Sequence, residues 1–378
     1  MNRYPVHILI FLAISLLAAS CSPALDQALA SEAIQAGTLP GEVPASNAEA
    51  IPTEPAVINP LTGLPVSDPL QLERRPVMVK VSNYPRNGRP HAGLSFADLV
   101  FDYYIGSGTN RFLAVYYGQD SQSIGPVRSG RRVDAQLVTM YSGILGYGSA
   151  DESTDEELIT HLGSYAISHL EAPCPAFCGK DTHDATGVFA NSAAISDYVD
   201  SIGLDNNKPD LAGMAFDAKT PNGGKVGEKL TVLFNYYNRA EWRYDAATGK
   251  YLRWIEYMED EASGEFEMVP LVDRVTGEQL AFSNVILIFA EYTELAPSAH
   301  QIAIWANDKG QPAFFFRDGQ VFSGNWRAAN DTDPMQFFRE DGSAMPLKPG
   351  NTWIVIAGLS STYMETHPGE WEMFFFLP

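Results

Sequence analysis

Short runs of β-branched and aromatic residues, each closed by a turn containing Gly, Pro, Asn or Asp, follow one another along most of the chain after Arg74. That pattern fits strands of ordinary length, and beyond Pro221-Asn222-Gly223-Gly224 the chain reads mainly as strands. The sharpest instance is Phe314-Phe315-Phe316 and Val321-Phe322 around Arg317-Asp318-Gly319-Gln320. Asp-Gly is a pair that a two-residue hairpin turn favours, because both central residues take positive φ. Strand character also marks residues 231–237, 242–244, 251–257, 285–289, 352–356 and 371–376, with turns at Ala247-Thr248-Gly249 and Val275-Thr276-Gly277.

The earlier part is mixed. Val77, Val79 and Val81 alternate with Met78 and Lys80, which predicts a half-buried strand. Residues 99–105 and 111–117 predict a hairpin about Gly106-Ser107-Gly108, and 143–148 a short buried strand. Ser95 predicts a cap for a short turn reaching Asp98. Val133, Leu137, Met140 and Tyr141 space a helix over 129–141. Thr154 and Glu157 read as a capping box for a helix ending at His161 or Leu162, and 191–202 predict another. Pro221-Asn222-Gly223-Gly224 then breaks the pattern. The expected fold is α+β: a layered sheet-and-helix N-terminal domain over 71–222 and a β-rich C-terminal domain over 225–378.

The N-terminus speaks to location. After Arg3, residues 6–19 are apolar except for His7 and Ser15, and the run closes Leu17-Ala18-Ala19-Ser20-Cys21. The run is too short for a comfortable membrane span and ends in small residues. Residues 1–20 therefore read as a lipoprotein signal peptide, with Cys21 as the lipidated residue. Residues 22–70 hold eight prolines and neither Lys nor Arg. Such a stretch buries no core, so 21–70 read as a tether whose end, around Asn59-Pro60-Leu61-Thr62-Gly63, docks on the folded head. The chain is expected on the outer face of a bacterial cytoplasmic membrane, held by its N-terminal lipid.

Charge narrows the partners. The net charge is −21, from 25 Lys and Arg against 46 Asp and Glu, which argues against nucleic acid. Outside the membrane, Cys174 and Cys178 are expected to pair as a disulfide. His161, His169 and His183 near these cysteines invite a zinc reading, but the Cys-x₃-Cys spacing and the oxidising surroundings favour the disulfide. The acidic run Asp151-Glu152-Ser153-Thr154-Asp155-Glu156-Glu157 lacks the glycine and spacing of a calcium loop. Neither a metal nor a cofactor is expected.

Against the acidic total, residues 71–132 carry nine basic residues and four acidic ones, and eight of the nine are arginine. The guanidinium fork suits carboxylate or phosphate. Gly125-Pro126-Val127-Arg128-Ser129-Gly130-Arg131 would set such donors at a helix start, where N–H groups favour anions. The candidate ligand-binding residues are Arg111, Arg128, Ser129 and Arg131. The competing reading has these arginines paired with Asp98, Asp102 and Asp134 inside the domain. The expected role is a cell-envelope binding module for an anionic component or a partner protein. The alternative is a cell-wall hydrolase using His183 with a nearby Asp or Ser, Ser149 among them. Trp242, Trp254, Trp326 and Trp353 could stack on sugars, but at strand spacing they read as core.

Arg75-Pro76-Val77, Asn83, Arg89-Pro90, Gly93-Leu94-Ser95 and Ala97-Asp98 form a spaced block, followed by Thr109-Asn110-Arg111-Phe112-Leu113-Ala114 and Ile124-Gly125-Pro126-Val127-Arg128-Ser129. With Asn59-Pro60-Leu61-Thr62-Gly63 before it, the block resembles the YerB-like lipoproteins, a two-domain family of unknown function. Phe316-Arg317-Asp318-Gly319, Trp326, Phe337, Leu347, Pro349-Gly350 and Thr352-Trp353 resemble that family's second domain. The likeness spans roughly residues 59–360. It implies a two-domain α+β head on a lipid tether and no established activity. Where the family often has Pro-His-Asn, this chain has Thr182-His183-Asp184.

Overall fold

Thr352–Gly358, near the end of the chain, runs parallel to two strands on either side of it. One is Asn284–Ala296; the other is β2 (Leu99–Gly106), about 250 positions earlier. A run such as Trp353-Ile354-Val355-Ile356-Ala357 demands this setting, because only a strand covered on both faces can hide consecutive apolar side chains. All seven residues of that strand are buried.

The computed structural model describes residues 56–180, 186–259, 263–297 and 299–378, and Glu54–Pro378 forms one compact unit. Its main sheet has 12 strands and crosses both halves of the chain. From the C-terminal edge inward it runs Gln336–Arg339, Gln320–Ala328, Asn307–Arg317, Asn284–Ala296 and Thr352–Gly358. It continues through β2, β3 (Thr109–Tyr116), β1 (Val77–Ser82), β4 (Ile144–Tyr147) and β5 (Ala166–Ser168). A second sheet of seven strands belongs to the C-terminal half: Glu267–Pro270, Lys250–Tyr257, Asn238–Asp245, Lys229–Asn235, Glu370–Phe374 and Thr362–His367 in order, with Ala281–Phe282 on Lys250–Tyr257. The first half is thus α+β and the second β-rich, and a shared sheet joins them.

Local chemistry explains most element ends. Asp318 and Gly319 take φ of 53° and 70°, the double positive φ that joins Asn307–Arg317 to Gln320–Ala328. Asn191 accepts the Ala194 N–H and opens α3 (Ser192–Ser201), which packs on β1.

Four expectations are corrected. All six residues of β1 are buried, not alternate ones, because the strand lies inside the sheet with both faces covered. α1 spans Arg132–Met140 and starts later than the spacing predicts. Residues 128–130 are held extended by Arg128 N–H to Lys80 O, Gly148 N–H to Arg128 O and Gly130 N–H to Ser149 O. α2 spans Glu152–Leu162; Asp151 is its cap and accepts both the N–H and the hydroxyl of Thr154, which therefore sits inside the first turn. The turn Leu94–Phe96 starts from Gly93, at φ 82°, while the Ser95 N–H donates to Asp273 across the molecule.

Trp242, Trp326 and Trp353 are fully buried, as core, whereas Trp254 is only half-buried, with the Arg243 guanidinium 4.0 Å from its ring centroid. Trp353 meets Phe112, Phe282 and Trp242 at centroid distances of 4.9, 5.0 and 5.8 Å, so aromatic packing ties the main sheet to the second one. Near residue 60 the chain is already docked: Leu61 is buried, Asn59 Nδ2 donates to Asp98 at 3.0 Å, and Gly350 N–H donates to Thr62 O. Cys21 lies outside the described residues. Among those described, no helix is long and apolar enough to cross a membrane.

Candidate functional site

β1 and β3 pair so that Arg111 lies opposite Ser82, and the segment 125–128 runs along the same end of β1 through the Val81–Val127 bridge. This register brings Arg111 and Arg128 together. Both line a pocket of about 390 Å³ with Tyr84, Arg86, Thr109 and Asn110. Arg111 is 9% exposed, and its Nη1 donates to the Ser129 carbonyl at 2.7 Å. Burial, then the guanidinium groups of Arg131 and Arg128, push Arg111 well below the ordinary arginine range.

The other two candidate residues, Ser129 and Arg131, do not line this pocket. The Ser129 hydroxyl lies 3.5 Å from that of Ser149. Arg131 precedes α1; its N–H donates to Asp134 Oδ2 at 2.7 Å and its Nη1 to Gly130 O. The helix start that the sequence offers to an anion therefore already holds a carboxylate of its own.

Behind the arginines, Lys80 and Asp134 form an ion pair at 3.1 Å with both side chains fully buried, and Tyr103 hydrogen-bonds to each. Burial pushes the Lys80 amine down to about 7 against the pull of Asp134, and Arg111 and Arg131 push the same way. The unfolded chain then binds the Lys80 proton between about pH 7 and 10.5 while the folded one does not. Stability should rise with pH across that window, by at most about 1.4 kcal/mol per unit for one proton. Urea unfolding between pH 7 and 10 should show this slope, and Lys80→Met should flatten it.

The internal pairing the sequence allows is made by other residues. Asp98 accepts from Asn59, Tyr117 N–H and Gly118 N–H. Asp102 pairs with Arg253 of the other half at 3.5 Å. Among the described residues, at least six of the nine basic residues of 71–132 are ion-paired: Arg74 with Asp120, Arg75 with Asp205, Lys80 with Asp134, Arg86 and Arg89 with Glu256, and Arg132 with Glu157. Among the described residues no ion pair closes on Arg111 or Arg131.

His183 lies outside the described residues. Ser149 is exposed, and among the described residues its hydroxyl meets only that of Ser129. Cys174 and Cys178 are joined as a disulfide. His161 packs edge-on to Trp305, and His169 Nδ1 meets Gly148 O at 2.5 Å. Among the described residues, no group of three or more His, Cys, Asp or Glu converges as a metal site. Sequence reasoning did not single out Arg86, Thr109 and Asn110 as pocket residues. The sequence marked Thr109 and Asn110 only as part of the family stretch that leads into Arg111.

Residues 61–204 match the family model "Protein of unknown function (DUF3048) N-terminal domain", and 230–354 match the C-terminal domain of the same family. The chain is 27% identical over 310 residues to "Putative lipoprotein YerB" of Bacillus subtilis (strain 168), covering 79% of this chain and 85% of that protein. The crystal structure of YerB from Bacillus subtilis superposes with a TM-score of 0.64 at 25% identity, covering 80% of this chain and 96% of that one. Two domain models in the same order, a relative matched along most of both chains and a shared fold agree: the chain belongs to the YerB-like DUF3048 family, with its N-terminal and C-terminal domains in one molecule.

Proposed function

We propose that this protein is a lipid-anchored binding module of the bacterial cell envelope, working outside the cytoplasmic membrane, and that it recognises an anionic group through Arg111 and Arg128. The lipoprotein name of the Bacillus relative and the apolar run closing on Cys21 support the anchor. One observation carries the binding reading. Arg111 lines a pocket, is nearly buried, lies within the field of two further guanidinium groups, and has no acidic partner among the described residues. An arginine that only braces a fold is normally neutralised, as six of its neighbours are. An anion entering the pocket would relieve the repulsion, and the guanidinium forks would hold it by paired hydrogen bonds. Arg131 adds field from behind, and Ser129 orients Arg111 through its carbonyl.

Thermal unfolding of the full chain with phosphate, carboxylates and anionic wall fragments tests this. A ligand that binds only the folded protein stabilises it by about 2.7 kcal/mol at a hundred times its Kd. The shift should appear with at least one anion and vanish in Arg128→Ala. Arg111→Lys should weaken it, since it keeps the charge and loses the fork. No shift with any anion, with both variants less stable, would make the arginines structural.

A further inference from the structure

The anion pocket adjoins a second cavity of different character. Arg86 lines both. Tyr84 lines the first, and its hydroxyl reaches Glu256 in the wall of the second at 2.6 Å. The second cavity holds about 540 Å³ between the 86–90 turn and the strands Lys250–Tyr257 and Glu267–Pro270. Its aliphatic wall is built by Pro90, Ile255, Met258, Val269, Leu271 and Val272.

The charged groups of this cavity are matched to one another. Glu256 Oε1 accepts from Tyr84 Oη, from Arg86 Nε at 3.2 Å and from Arg89 Nη2 at 3.0 Å. The cluster sits where the two cavities adjoin. What is left beyond it is apolar space of ligand size, next to the pocket that Arg111 lines. Neither cavity alone accounts for the other. A small anion leaves the aliphatic wall wet, and a neutral hydrocarbon leaves Arg111 without a counter-charge among the described residues.

We infer that the ligand is an amphiphile: an aliphatic chain lying in the 540 Å³ cavity and ending in a phosphate monoester or diester held by Arg111 and Arg128. Phosphate fits better than carboxylate because Arg111 and Arg128 both line the pocket and a phosphate brings more charge and more acceptor oxygens. This rests on the anion reading above and adds the class of the rest of the ligand.

The test is calorimetric titration of the full chain with inorganic phosphate and with butyl, hexyl and octyl phosphate below their micelle concentrations, octyl glucoside serving as the neutral control. Affinity should rise about three- to fourfold per methylene, the increment for burying one CH₂. Val269 is half-buried on an edge strand, so Val269→Trp should fill the cavity and bring octyl phosphate down to the affinity of inorganic phosphate. Val272→Trp, also half-buried, should do the same. Phosphate binding with no gain along the alkyl series would overturn the amphiphile and leave the anion reading standing. A chain-length gain that survives both tryptophan variants would remove the cavity from the site. Octyl glucoside binding as tightly as octyl phosphate, indifferent to Arg128→Ala, would defeat both readings.

Discussion

Arg253→Ala is expected to destabilise the protein by about 3–5 kcal/mol, as removal of one partner of a buried ion pair does. Arg253 and Asp102 are both fully buried, 3.5 Å apart, one from each half of the chain. The guanidinium lies 4.0 Å from the Trp353 ring centroid, 4.4 Å from that of Trp242 and 5.3 Å from that of Phe112. Alanine would remove the counter-charge, the cation–π contacts and the volume together. The cost should depend on pH. Burial, partly offset by Arg253, pushes Asp102 up to about 6. For an acid raised in the folded state, its contribution is fully present below the unfolded value near 3.8 and is lost as pH rises through about 6. Without Arg253 the carboxyl should climb further, so urea unfolding should show a larger penalty at pH 8 than at pH 5. A variant within about 1 kcal/mol of the parent at both pH values would mean that the pair does not hold the halves together.

The second large effect concerns the halves themselves. Residues 54–222 made alone are expected not to fold cooperatively, and the same piece produced together with 223–378 is expected to recover a native unfolding transition. β2 hydrogen-bonds on one side to β3 and on the other to Thr352–Gly358. Removing the second half bares that edge, which carries buried Val100, Phe101 and Tyr103, and leaves Asp102 without Arg253. Amide hydrogen exchange reads the result directly. The β2 amides should be protected in the reassembled pair and exchange freely in the isolated piece. A sharp, protected transition in 54–222 alone would show that the shared sheet is not needed for folding.

Local chemistry carried far in the sequence. The Asp318-Gly319 turn, the 99–116 hairpin and the Asn191 cap are written within a few residues, so they could be read there. The seating of Thr352–Gly358 beside β2 could not, because parallel pairing over so long a separation leaves only a continuous apolar run as its mark. Lys80 misled the alternation rule for β1. A lysine normally marks the wet face, and nothing beside it in the chain announces that Asp134 will partner it in the core. The charge excess of 71–132 drew attention to Arg111 and Arg128, which line one pocket. It could not separate Arg111 from the arginines that Glu256, Asp205 and Asp120 neutralise, since those acids lie elsewhere or pair only in space. The aliphatic cavity left no trace, because Ile255, Val269 and Leu271 look like any core positions.

Crystals of the full chain soaked in tungstate, a phosphate-like anion located by its anomalous scattering, test the central claim most directly. The expected result is a peak within hydrogen-bonding distance of the Arg111 and Arg128 guanidinium groups, displaced by added phosphate and absent in Arg128→Ala. A pocket without a peak at saturating tungstate, with the arginines turned to protein partners alone, would contradict it.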